Sequence, residues 1–102
     1  MKVYLSGKIT GDPAYREKFA AAADQLTAGG HIVLNPAEHP PGLRNVDYMR
    51  MCFAMMEAAD IVVFLPCWAQ SNGALLEMMW CQYVGKPVAF DVRDVDGRRK
   101  RI

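Results

Sequence analysis

A single carboxylate, Glu77, lies within an otherwise apolar helical run, six residues after Ser71 and four after Gly73. Helical periodicity places the small residues Gly73 and Ala74 on the same face as this carboxylate, on its N-terminal side. Small residues there leave room for a ligand above the carboxylate. Because glutamate most often lies at the protein surface, a solvent-facing Glu77 is the alternative interpretation.

Two glycine-containing loops have the composition of anion-binding sites. The first is SGKITG (residues 6–11), which follows a β-rich run, and the second is SNG (residues 71–73), which precedes the helical run of Glu77. Each loop is expected to expose backbone N–H groups near a helix N-terminus, where the helix dipole favours negative charge. Lys8 and Thr10 add a charge and a hydroxyl group. Two such loops with a carboxylate between them would suit a phosphorylated sugar.

Strand-like and helical segments alternate along the chain, which indicates how these groups are positioned. The strands are predicted at 2–6, 31–35, 60–66 and 86–92, and the helices at 13–28, 47–59 and 73–84. This alternation predicts an α/β fold with a mostly parallel four-stranded sheet and helices on both faces, a small flavodoxin-like or Rossmann-like three-layer sandwich. In such folds ligands bind beyond the carboxyl ends of the strands, where both loops are expected to lie.

Length and composition indicate one folded domain. The chain has 102 residues, of which 52% are apolar and 23% charged, and its net charge is +1. No apolar run approaches the ~18 residues of a membrane span. The balanced charge gives no indication of nucleic-acid binding. The three cysteines lack metal-ligand spacing, so we expect reduced thiols, a cytoplasmic location and no metal or other cofactor.

The domain is expected to span residues 1–92, followed by a basic C-terminal tail at 93–102. That tail holds five of the twelve basic residues. A solvated tail is the simplest interpretation, and contact with a phosphate or a partner is the alternative.

The helix at 47–59 is apolar nearly all round, and the helix at 73–84 is similar. A four-stranded sheet cannot bury every face of two such helices, and an apolar helix needs cover. Methionine-rich faces also suit adaptable contacts. The pattern predicts a homodimer or larger assembly through these helices, and a thick monomeric core with some exposed methionine is the alternative.

Four motifs together resemble the nucleoside 2-deoxyribosyltransferase superfamily over residues 2 to about 90. They are YLSGKITG (4–11), NPAE (35–38), AADIVVFLP (58–66) and SNGALLE (71–77). The chain looks most similar to the short phage and prophage branch of unknown function, whose members tend to show a tryptophan-containing loop before the serine, as CWAQS does here. The S-x-G-x-x-x-E form is similar to that of the 2'-deoxynucleoside 5'-phosphate N-hydrolases, whereas the transferases usually have aspartate where Ser71 stands.

This resemblance implies cleavage of the N-glycosidic bond of a 2'-deoxynucleoside 5'-monophosphate, or transfer of its deoxyribosyl group. Glu77 would be the nucleophile, because a carboxylate can form a glycosyl ester that water or another base then resolves. A nucleotide is therefore the expected small-molecule partner. The residues implied to bind it are Tyr4, Gly7, Lys8, Ile9, Thr10, Gly11, Asn35, Ser71, Asn72 and Gly73.

Cys52 departs from the pattern of the superfamily. It lies eight residues before Asp60, where the enzymes usually carry an aspartate that assists the departing base. A buried thiol is a poor proton donor, and general-acid help is typically worth ~10² to 10⁴ in rate. Asp47 or Glu38 could substitute. The alternatives to an enzyme are a non-catalytic nucleotide-binding or sensing module and a pure interaction protein.

Overall fold

The computed structural model describes residues 1–95, which form four strands and three long helices. The strands are β1 (Lys2–Ser6), β2 (Ile32–Leu34), β3 (Ile61–Phe64) and β4 (Val88–Ala89). The helices are α1 (Tyr15–Ala28), α2 (Asn45–Ala58) and α3 (Asn72–Val84), with short 3-10 helices at Pro36–Glu38 and Trp68–Gln70. All three strand pairs are parallel and the strand order is β2-β1-β3-β4. The predicted parallel α/β sheet is confirmed.

Consecutive residues of the two central strands pack on opposite faces of the sheet, because successive strand side chains alternate in direction. One face packs against α1 and carries Val3, Leu5, Ile61 and Val63, with Phe19 and Leu26 from the helix. The other face packs against α2 and α3 and carries Tyr4, Val62 and Phe64, with Cys52, Met56, Met78 and Cys81 from the helices. The result is the predicted three-layer sandwich, with even-numbered residues of β1 directed at α2 and α3.

The last strand is shorter than predicted. It covers Val88–Ala89 rather than residues 86–92. The Asp91 carboxylate accepts hydrogen bonds from the backbone N–H of Arg93 (2.8 Å) and from its guanidinium, and Asp91 thereby begins a helical turn at 92–95. Val95 in this turn is fully buried in the core beside α1. Most of the predicted basic tail, residues 96–102, lies outside the described residues.

Helix boundaries differ from the predictions by about two residues. The first helix begins at Tyr15 rather than Pro13, because the Asp12 carboxylate accepts the N–H of Ala14 and holds a turn before the helix (2.9 Å). The second helix begins at Asn45, and Asp47 in its first turn accepts the N–H of Arg44 (3.1 Å). No helix within residues 1–95 is long and apolar enough to cross a membrane.

Candidate active site

Glu77 lies in the buried stripe of α3. The buried residues of this helix are Ala74, Glu77, Met78 and Cys81, which recur at the spacing of one helical face. Glu77 retains only 4% of its exposure. The solvent-facing alternative is therefore wrong: the carboxylate is part of the packed face between α3 and the sheet.

Two hydroxyl groups of β1 donate hydrogen bonds to the Glu77 carboxylate. Tyr4 Oη donates to Oε2 at 2.8 Å, and Ser6 Oγ donates to Oε1 at 2.6 Å. Both donors are 1% exposed. Residues two apart on a strand share a face. The carboxyl-terminal half of β1 therefore presents both hydroxyl groups to α3. Charge-assisted hydrogen bonds of this kind are short and strong, and they fix both oxygens of the carboxylate.

A cavity of about 640 Å³ opens above this carboxylate, at the carboxyl ends of the strands. Its volume lies in the range of ligand-binding pockets. The predicted site residues that line it are Tyr4, Gly7, Lys8, Ile9, Thr10, Ser71, Asn72, Gly73 and Glu77. Gly11 and Asn35 are not among the lining residues. The Asn35 side chain instead accepts the N–H of Ala37 (2.9 Å) and caps the short helix at Pro36–Glu38.

The two glycine-containing loops meet at this cavity. Among residues 1–95, Lys8 is the one lysine or arginine that lines the cavity. At the other loop, Ser71 is the N-cap of α3 and its Oγ accepts the N–H of Ala74 (3.2 Å). The N-terminus of α3, which is the positive end of the helix dipole, thus lies against the cavity. The dipole and the Lys8 charge together favour an anionic ligand group there.

Comparison with known proteins places the chain in a family. The model of the family described as "Domain of unknown function (DUF4406)" matches residues 1–90. The chain belongs to the DUF4406 family. No curated protein matches this DUF4406 chain.

A solved structure has a similar fold. It is a 2-deoxyribosyltransferase from the psychrotolerant bacterium Bacillus psychrosaccharolyticus, with a TM-score of 0.64 and 20% sequence identity to the DUF4406 chain. The match covers 86% of this chain and 69% of the transferase. At this level of identity the match shows a shared fold, which is the fold that the sequence resemblance implied.

Burial and hydrogen bonding act in opposite directions on Glu77 in this DUF4406 domain. Burial in the sheet–helix interface raises the pKa of the carboxyl group above its ordinary value, because the charged form is desolvated. Donors from Ser6, Tyr4 and, to a lesser degree, Cys52 lower it again. The same burial, together with the neighbouring Glu77 charge, raises the pKa of Tyr4 well above 10.0, so the phenol keeps its proton and stays a donor.

Cys52 of α2 also lines the cavity. Burial is the main cause that raises the pKa of its thiol to about 11; a hydrogen bond with Tyr4 acts to lower the pKa, and the nearby Glu77 charge acts to raise it. The thiol therefore remains protonated at neutral pH. It supplies a weak hydrogen-bond donor to the site, and it is too weak an acid to take the place of the aspartate that the resembling enzymes carry.

The side chains of Glu38, Asp47 and Trp68 lie outside the cavity lining. Glu38 and Asp47, the two acids that could substitute for the missing aspartate, therefore do not reach the cavity, and Asp47 pairs with Arg44 (3.3 Å). The Trp68 ring packs against Phe64 and Phe90, with ring centroids 5.4 and 6.0 Å away.

Ser6 is the main contributor that sequence reasoning missed. It ends the predicted strand 2–6 and begins the SGKITG loop, and its position two residues after Tyr4 is the signal that could have placed both hydroxyl groups on one face. The lining also includes Tyr48, Met49 and Gln70, for which the sequence carried no distinguishing signal. Within residues 1–95, no cluster of three or more histidine, cysteine or acidic residues is arranged to hold a metal ion.

Proposed function

We propose that this DUF4406 domain cleaves the N-glycosidic bond of a 2'-deoxynucleoside 5'-monophosphate, with Glu77 as the nucleophile. One observation carries the proposal. The buried Glu77 carboxylate, oriented by two hydroxyl donors, lines a cavity of nucleotide size between the loops 6–11 and 71–73, both of which have the composition of anion-binding sites. The shared fold with a 2-deoxyribosyltransferase supports the reaction class. The resemblance of the S-x-G-x-x-x-E form to that of the N-hydrolases favours hydrolysis over transfer.

The chemistry follows from the position of the carboxylate. One Glu77 oxygen forms a bond to the anomeric carbon while the bond from that carbon to the base nitrogen breaks, and its electron pair leaves with the base. Water then attacks the same carbon and loses a proton, which balances the proton that the released base takes up; the ester bond breaks and the carboxylate is regenerated. Tyr4 and Ser6 keep their hydrogen bonds to the oxygens throughout, which restricts the carboxylate to one orientation toward the sugar.

The substrate's phosphate is assigned to the loop of Lys8 and the N-terminus of α3. Lys8 supplies a positive charge, and the backbone N–H groups of Asn72 and Gly73, in the first turn of α3, supply hydrogen bonds. Ser71 carries no negative charge, so it does not repel a phosphate dianion. The remaining sugar and base would occupy the part of the cavity near Tyr4 and Tyr48.

The proposal is tested by incubating the protein with each common deoxynucleoside 5'-monophosphate and measuring free base by chromatography. We expect base release by the wild-type protein and none by Glu77→Gln, which preserves the size of the side chain. Equal release by both proteins would exclude Glu77 as the nucleophile.

A non-catalytic nucleotide-binding module is the second candidate, and the protonated thiol of Cys52 is the observation that favours it. Such a module would bind a deoxynucleotide in calorimetry and release no base over long incubation.

The three cysteines are free, which supports the expected reducing, cytoplasmic setting.

We also propose that two copies associate through α2 and α3. Six large apolar residues of these helices are exposed: Val46, Leu75, Leu76, Met79, Tyr83 and Val84. Tyr83 retains 93% of its exposure and Met79 64%. Large exposed apolar side chains on two helices of a small domain support a protein–protein contact.

A further inference from the structure

Departure of the base in the reaction proposed above leaves an electron pair on the base. Protonation of the base by a positioned acid accelerates such steps by ~10² to 10⁴. In the resembling enzymes the aspartate at the position of Cys52 assists this departure, and here a thiol occupies that position. Another group lining the cavity must therefore hold a transferable proton if the reaction is to be efficient.

The titratable groups that line the cavity are Tyr4, Lys8, Tyr15, His39, Tyr48, Cys52 and Glu77. Most of them already have a hydrogen-bond partner or a proposed role. Tyr4 is bound to the nucleophile (2.8 Å). Tyr48 donates to the backbone oxygen of Pro40 at 2.7 Å and accepts the N–H of Leu43 at 3.2 Å. Lys8 is assigned to the phosphate. Phenols and ammonium groups, moreover, ordinarily release their protons only near pH 10.

His39 differs from these groups. It follows the short helix at Pro36–Glu38, where its backbone N–H donates to the oxygen of Pro36 (3.2 Å), and it lines the cavity. Its Nε2 is the buried side-chain polar atom within residues 1–95 that has no hydrogen-bond partner. Leaving a buried polar atom unpaired is energetically costly, and folded proteins leave very few in this state. A catalytic role is one of the recognised reasons for such an exception.

We infer that His39 donates the proton to the departing base, in place of the acid that the Cys52 position lacks. This inference rests on the proposed function. Imidazole is the side chain that ordinarily exchanges a proton between pH 5 and 8. As the bond between the anomeric carbon and the base nitrogen breaks, the proton on the His39 ring passes to the base. In the second step the water that attacks the anomeric carbon returns a proton to the ring.

The test uses two deoxyribose 5-phosphate substrates whose leaving groups differ in their need for an acid. The first is whichever deoxynucleoside 5'-monophosphate the wild-type protein cleaves. The second is 4-nitrophenyl 2-deoxyribofuranoside 5-phosphate, whose leaving group departs as a stable phenolate without protonation. The variant is His39→Gln, which keeps a polar side chain and removes the transferable proton. Glu38→Gln is the matched control, because Glu38 precedes His39, is exposed and does not line the cavity.

We expect His39→Gln to lower kcat/KM on the nucleotide by about 10²-fold or more and to leave kcat/KM for the nitrophenyl substrate at the wild-type value, because kcat/KM reports the step in which the leaving group departs, before water attacks. Glu38→Gln should resemble the wild type on both substrates. An equal loss on the two substrates, or no loss on either, would overturn the inference about His39. If wild-type protein cleaves neither substrate, the proposed function fails and the inference fails with it. The two failures are told apart by the nitrophenyl substrate: if the wild-type protein cleaves it and Glu77→Gln does not, the proposed function holds, and only the inference about His39 is in question.

Discussion

Ser6 at the end of β1 donates a 2.6 Å hydrogen bond to Oε1 of Glu77 on α3. Of the donors that lower the pKa of the Glu77 carboxyl group, Ser6 has the largest effect and Tyr4 the next. The contact joins the first strand to the third helix and stabilises the ionised form of the proposed nucleophile.

Removing the Ser6 hydroxyl should therefore shift the pH dependence of activity. Glu77 attacks only as the carboxylate, so activity is lost as the pH falls through its pKa. Ser6→Ala raises that pKa further, and the acidic limb of kcat/KM should move to higher pH. Tyr4→Phe should move it in the same direction by less. Superimposable pH profiles of wild type and Ser6→Ala would exclude this role for Ser6.

Glu77→Gln should stabilise the folded protein at neutral pH. The pKa of Glu77 is raised in the folded state, so ionisation costs folded-state free energy once the pH exceeds the unfolded value. The gain in Tm should be largest at neutral pH and should diminish as the pH falls toward the ordinary carboxyl value of 4.5. Thermal unfolding across this range measures it. Glu17→Gln, an exposed position on α1, is the control and should show no such trend.

Gly7 and Gly73 should respond differently to alanine. A Cβ at Gly7 would lie 3.2 Å from Cβ of Leu65 and 3.3 Å from the Phe19 ring, so the core must shift, at a cost of about 1 to 3 kcal/mol. A Cβ at Gly73 meets Met49 at an ordinary 3.5 Å. Urea unfolding should show a loss of stability for Gly7→Ala alone. Gly73→Ala should instead weaken nucleotide binding, because its methyl group narrows the assigned phosphate end of the cavity.

Lys8→Ala should raise KM for a deoxynucleoside 5'-monophosphate more than for the corresponding nucleoside, because the lost charge contacts the phosphate. Lys18→Ala is the matched control. Lys18 pairs with Asp12 (2.7 Å) and does not line the cavity. A loss of equal size for nucleotide and nucleoside would show that Lys8 does not bind the phosphate.

Met79→Glu should dissociate the proposed homodimer, since it places a charge in the exposed apolar surface of α3. Light scattering after size-exclusion chromatography should give a smaller mass for the variant than for the wild type. Ile32→Glu on the edge strand β2 has the same 64% starting exposure and should leave the mass unchanged. A monomeric wild-type protein would contradict the assembly.

The sequence predicted those features that follow from local periodicity. Alternation of strands and helices was sufficient for the parallel sheet, and glycine placement was sufficient to bring Lys8 and Ser71 to one edge. It did not predict where β4 ends, because that depends on a side-chain contact from Asp91 that competes with strand pairing. It also did not reveal the Ser6 contact, because a hydrogen bond between residues 71 positions apart depends on tertiary packing.

The most direct test of the account is to look for the covalent intermediate. Wild-type protein is mixed with its deoxynucleotide, quenched in acid during turnover, digested and examined by mass spectrometry. We predict that the peptide containing Glu77 carries a deoxyribose 5-phosphate group, located on the Glu77 carboxylate, and that Glu77→Gln carries none. Base release without modification of this peptide at any quench time, or modification of another residue, would contradict Glu77 as the nucleophile.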